Sequence, residues 1–148
     1  MKSKNIYKYP LRKKDITEFG GDSPAHKGKL KHAIDFTVPE GTPIYAALGG
    51  IITFVKQDSK IGGLNSKYDK DTNGVIIQHE NNESTAYWHL KHNGAKVKIN
   101  QEFKKGQLIG LSGNTGWSHK PHLHFEVFKT DTNDTLEIRF ENIGVEND

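Results

Sequence analysis

Eight of the 148 residues are histidine, six of them between His79 and His124, and there is no cysteine. Imidazole both binds metals and moves protons near neutral pH, so this density points to metal or proton chemistry. The missing cysteine removes disulfides, thiolate metal sites and thiol nucleophiles together. Pro121-His122-Leu123-His124-Phe125-Glu126 sets two imidazoles two positions apart. On a strand such positions share a face, and two neutral imidazoles side by side can begin a zinc site. Two solvent-facing histidines would satisfy the same spacing. The glycine-dense Gly110-Leu-Ser-Gly-Asn-Thr-Gly116 just upstream favours the first reading, because it lets the backbone bend sharply and open a cleft.

Two further groups fit that chemistry. In Tyr87-Trp88-His89-Leu90, simple alternation puts His89 with Thr85 and Tyr87 on a polar face, and Trp88 with Leu90 toward a core. That is the pattern of a strand lining a groove, although an ordinary surface histidine would read the same. Asp35 lies in the otherwise apolar Ala33-Ile34-Asp35-Phe36, where an ionised carboxylate is costly unless it is paired or binds a cation. His26 and His32 precede it. His32 is three positions away, on the opposite face of an unbroken strand, whereas His26 lies before Gly28 in a segment free to fold back. His26 is therefore preferred as the partner of Asp35, with His32 the alternative.

The elements that must position these groups read as strands. Ala33–Thr37, Ile44–Ala47 and Gly50–Val55 are punctuated by Pro39-Glu-Gly-Thr-Pro43. Val75–His79 and Thr85–Leu90 form a hairpin across Glu80–Ser84, and Leu123–Phe128 and Leu136–Phe140 supply more. Lys56–Asn73 is polar and glycine-containing, a long surface loop of the kind that often carries function. Lys98-Ile-Asn-Gln and Lys104-Lys-Gly-Gln echo one another, with Asn100 and Gly106 where a tight turn needs positive φ. His79 reads as a hydrogen-bonded structural residue and His92 as a turn residue, while Trp117 serves either the groove or a turn. No stretch keeps a helical apolar period over three turns, so the chain is read as all-β and mostly antiparallel.

Composition sets the outer limits. The length suits one domain. Hydrophobic residues make up 33% and mean hydropathy is −0.74, with no apolar run long enough to span a membrane. A net charge of +3 is too weak to argue for nucleic acid. The first 14 residues carry six basic side chains and no acid, the composition of a solvated arm partly laid on the domain or of one that binds a polyanion. They show no apolar stretch of a secretory leader, so either the protein stays inside the cell or the chain begins after a removed leader.

In order and content the motifs resemble the lysostaphin/LytM-like zinc metallopeptidases, which cut peptidoglycan. The resemblance runs from about Gly20 to Phe128. It takes in Asp35, Gly41-Thr-Pro-Ile-Tyr-Ala-Ala, Tyr87-x-His89-Leu90 and Gly113-Asn-Thr-Gly-Trp-Ser118, leading into Pro121-His-Leu-His-Phe-Glu-Val127. It implies a barrel-sandwich hybrid (a duplicated hybrid motif) with an open groove, in a domain over 21–148 preceded by a basic extension over 1–20. It implies one Zn²⁺ per chain held by His26, Asp35 and His124, with His89 and His122 as the catalytic pair. The substrate would be a peptidoglycan peptide and the location the cell envelope or outside the cell. A monomer is expected, without nucleic acid or a membrane span.

Two positions depart from the family pattern. The usual His-x-Gly-x-Asp would put a ligand at Lys31, so Ala25-His26-Lys27-Gly28 resembles the branch with a displaced first histidine. His119-Lys120 stands where small residues are usual, adding bulk and charge at the cleft rim. The alternative is a non-catalytic family member that binds the wall or activates another hydrolase. A lipoyl-type carrier domain, suggested by the Lys-x-Gly-Gln turn, leaves the histidines unexplained.

Overall fold

The computed structural model describes residues 1–20 and 31–141, and period-two alternation of apolar and polar side chains marks several of its strands, such as Ile34–Thr37 and His122–Lys129. In chain order the strands are β1 (Lys2–Tyr7), β2 (Glu18–Gly20), β3 (Ile34–Thr37), β4 (Pro43–Tyr45), β5 (Gly50–Lys56), β6 (Gly62–Gly63), β7 (Gly74–Gln78), β8 (Glu83–Trp88), β9 (Leu90–Ala95), β10 (Glu102–Phe103), β11 (Leu108–Ser112), β12 (Gly116–Trp117), β13 (His122–Lys129) and β14 (Glu137–Phe140). Helical structure among the described residues is limited to short 3₁₀ turns, Lys13–Asp15 and Ser66–Asp71. No helix there is long and apolar enough to cross a membrane.

A seven-stranded sheet in the order β10-β5-β7-β8-β13-β3-β2 is antiparallel at every step. A second antiparallel sheet, β4-β11-β9, shares its core, and the short pairs β1-β14 and β12-β6 are parallel. The all-β, mostly antiparallel expectation holds, and the sheets do not close into a barrel. One face of the large sheet carries Phe36, Ile52, Ile77, Tyr87, Leu123, Phe125 and Val127 into a single apolar cluster with Ile44, Leu90 and Ile109.

Strand parity decides what the other face presents. β13 alternates Leu123, Phe125 and Val127 toward the core with His122, His124 and Glu126 on the opposite face, and all six are buried. β5 needs a correction to its own parity. Ile52 pairs with Ile77 on the core face, but a bulge at Thr53 makes Phe54 pair with Ile76, so Phe54 and Lys56 turn to the histidine face.

The first residues are built into the molecule rather than lying on it as a solvated arm. β1 pairs with β14, and Tyr7 and Leu11 are core residues. The buried Glu83 carboxylate accepts from Lys4 N at 2.6 Å, Asn5 N at 3.2 Å and the Tyr7 hydroxyl at 2.9 Å. Basic side chains still fit because alternation turns Lys2 and Lys4 outward while Ser3 and Tyr7 turn in.

Of Lys56–Asn73, expected as a surface loop, Lys56 ends β5 and the remainder is docked. β6 pairs with β12, and the Tyr68 ring lies so close to Gly63 that a Cβ there would stand 2.1 Å from it. Asn100 and Gly106 take φ of 72° and 86°, the left-handed turns expected of them.

Candidate metal and acid–base site

Antiparallel pairing of β3 with β13 sets Asp35 directly opposite His124, so both side chains leave the sheet on one face. Asp35 Oδ1 lies 3.3 Å from His124 Nδ1 and 3.7 Å from His122 Nε2. The His89 ring centre is 4.5 Å from that of His122 and 6.0 Å from that of His124. Four of the five residues singled out in the sequence therefore converge. His26, the fifth, lies outside the described residues. The alternative, His32, is held by its backbone N–H to Thr135 Oγ1, on the side of β3 that runs toward the Val127 end of β13.

His89 reaches the cluster by leaving its strand. β8 ends at Trp88, and His89 takes φ +73°, a conformation that costs a non-glycine residue about 1–3 kcal/mol unless its surroundings impose it. Here they do, since His89 N and Leu90 N both donate to the carbonyl of Asn73, at 2.9 and 3.2 Å. The turn also corrects the facing expected from alternation. Tyr87 pairs with Phe125 in the core, and Trp88 pairs with His124 on the site face, the reverse of the sequence reading. Only Leu90 turns inward as anticipated.

Backbone carbonyls fix the rings. His89 Nδ1 is 2.6 Å from Thr115 O and His122 Nδ1 is 2.7 Å from Lys120 O. A carbonyl only accepts, so each Nδ1 carries the hydrogen and a neutral ring keeps its lone pair on Nε2. His124 differs, with Nε2 2.8 Å from Glu126 Oε1 and Nδ1 toward Asp35. Burial works against charge on His124, but the hydrogen bonds its ring donates to Asp35 and Glu126 outweigh it and raise its pKa to about 9. Burial, reinforced by His122 and His124, pushes His89 down to about 3.

A site that stabilises positive charge between two carboxylates is chemically suited to a cation. Imidazole nitrogen with carboxylate oxygen is a donor set that Zn²⁺ accepts, and a carboxylate behind the ligand histidine is the usual outer support. Asp35 and His124 fit such an ion. No group of three metal-binding side chains forms among the described residues.

The groove beside these rings encloses about 380 Å³, and Phe54, Lys56, Asp69, Lys70, Trp88 and Trp117 contribute to its walls. Trp117 is thus a groove residue. The Trp88 indole lies against Gly74, where a Cβ would come within 2.0 Å of it, and Phe54 meets it edge-on at 5.6 Å. His79 is the structural residue expected, bonded to Gly49 O and Thr85 Oγ1 at 2.7 and 2.9 Å. His92 lies within β9, next to Asn93 at φ 55°. His119 is exposed, and Lys120 forms an ion pair with Glu18.

Glu126 closes the Pro-His-Leu-His-Phe-Glu run with no role expected of it from the sequence. The period of two that linked His122 to His124 extends to it and could have assigned one. Nothing in a side-chain pattern announces the carbonyls of Thr115, Lys120 and Asn73.

Known proteins resemble this chain in sequence and in fold. The sequence profile of peptidase family M23 matches residues 29–135. The peptidoglycan DD-endopeptidase ShyA of Vibrio cholerae serotype O1 is 40% identical over 93 residues, 63% of this chain and 19% of that protein. A crystal structure of a zinc-containing peptidase from Vibrio cholerae superposes with a TM-score of 0.65 at 30% identity, over 89% of this chain and 39% of that one. The catalytic domain of lysostaphin from Staphylococcus simulans gives 0.54 at 30% identity, over 70% and 72%. The chain spans 19–25% of the length of the first curated relatives it matches.

Proposed function

The chain belongs to peptidase family M23, and on that premise we propose that it is a zinc-dependent endopeptidase that hydrolyses amide bonds in peptidoglycan peptides of the cell envelope. The observation that carries the reading is the approach of Asp35 Oδ1 to His124 Nδ1 at 3.3 Å, with the His122 and His89 rings beside them. Asp35, His124 and His26 would hold the metal. Zinc bound there would supply Lewis acidity, polarising the scissile carbonyl and lowering the pKa of water to about 7.

The protein's own groups divide the remaining work. His122 takes the proton of the attacking water on Nε2, because Lys120 O occupies its Nδ1–H and Asp35, 3.7 Å away, stabilises the imidazolium that results. His89 accepts a hydrogen bond from the water on Nε2 and so orients it. Its Nδ1–H is committed to Thr115 O, which leaves the neutral ring no hydrogen for an oxyanion. Glu126 keeps His124 turned toward Asp35. Trp88, Phe54 and Trp117 offer apolar walls to the peptide.

Bound zinc and release of peptidoglycan fragments, measured together in wild type, His122→Ala and His124→Ala, test the division of labour. The first substitution is expected to keep the metal and abolish hydrolysis, and the second to lose both. Equal metal loss in the two variants would overturn the roles.

A further inference from the structure

Asn73 is completely buried, polar, and no part of the groove lining. Its side chain imitates a strand partner. Ser59 N donates to Asn73 Oδ1 at 3.1 Å, and Asn73 Nδ2 donates to Ser59 O at 3.0 Å, closing the segment that forms the groove wall. Its main chain faces the other way. Asn73 N donates to Thr115 Oγ1 at 3.2 Å, and Asn73 O accepts both His89 N and Leu90 N. Thr115 completes the link, because its hydroxyl donates to Leu90 O at 2.7 Å and its carbonyl receives the His89 Nδ1–H. The left-handed turn that swings His89 into the site is thus bolted to a residue whose side chain closes the wall.

We infer that Asn73 is a positioning residue for His89, fixing the tautomer and orientation of that ring and coupling the wall segment 59–73 to it. The inference rests on the reading of His89 as the group that orients water. The chemistry asks for asparagine specifically. One planar amide must donate to a carbonyl and accept from an N–H, whereas aspartate would set a second acceptor against Ser59 O, and alanine would leave both Ser59 groups unpaired. Movement of Asn73 O would release the constraint on His89, and misplacing a catalytic group by about 1 Å can cost on the order of 100-fold in rate.

The test uses the full chain with ¹⁵N-labelled histidine, as wild type, Asn73→Asp and His89→Ala. Two-bond ¹H–¹⁵N spectra should show wild-type His89 with its hydrogen on Nδ1 and Asn73→Asp with mixed tautomers. On solubilised cross-linked peptidoglycan, Asn73→Asp should lower kcat on the order of 100-fold with KM and zinc content unchanged. A wild-type His89 spectrum and kcat in Asn73→Asp, alongside an inactive His89→Ala, would overturn the inference and leave the catalytic reading standing. A fully active His89→Ala would instead overturn the catalytic reading, while the tautomer result still decides the positioning. Should Asn73→Asp fail to fold, Thr115→Val removes the hydroxyl that receives Asn73 N–H, and the same outcomes apply.

Discussion

His124 sits between two carboxylates that do different things. Asp35, directly across the sheet, shares the space where a cation would lie, while Glu126 supports the ring from behind at 2.8 Å. Glu126→Gln keeps the shape and removes the charge. Zinc affinity should then fall about 10- to 100-fold, as read by competition with a chromogenic chelator, with the fold intact by circular dichroism. Unchanged affinity would show that Glu126 only fills space. The histidines and Asp35 were legible because strand period alone aligns i with i+2, and because a carboxylate in an apolar run demands a partner. The carbonyls that choose the tautomers were not, since every residue carries one and only the fold decides which faces a ring.

Strand segments were also legible, because β3, β13 and β14 alternate apolar with polar residues while β5 and β7 are short runs rich in β-branched residues between turn signals. Their facing was less so. A single bulge at Thr53 turns Phe54 to the histidine face, and a single left-handed residue breaks the alternation at His89, so that Trp88 rather than Tyr87 shares its face; no count along the sequence contains those two events. The β7–β8 hairpin carries its own pH signature. His79 is buried between Gly49 O and Thr85 Oγ1, and burial holds its pKa below the ordinary 6.5. A base with a lowered folded pKa contributes stability in full above the unfolded value and loses it as pH falls below that value. Denaturant unfolding should therefore show stability declining from about pH 7 to about pH 5, and declining less steeply in His79→Gln. Parallel profiles for the two proteins would contradict this.

Across the whole molecule, what brings the chemistry together is a large antiparallel sheet with unlike faces. Its core face is apolar, and its other face carries a buried polar stripe that only hydrogen bonding makes tolerable. Compaction also recruits the N-terminal residues, whose basic composition suggested an arm, because Glu83 inside the hairpin offers their backbone a charged acceptor. That link, like the contact of Asp35 with His124 across 89 positions of chain, is a long-range pairing that local composition does not encode. A working site requires those distant segments to meet at one ion. A crystal structure of the zinc-soaked protein, with anomalous scattering recorded on both sides of the zinc edge, measures this directly. One zinc peak coordinated by Asp35 and by Nδ1 of His124 is the predicted result. Zinc bound elsewhere with that pair unligated would contradict the account.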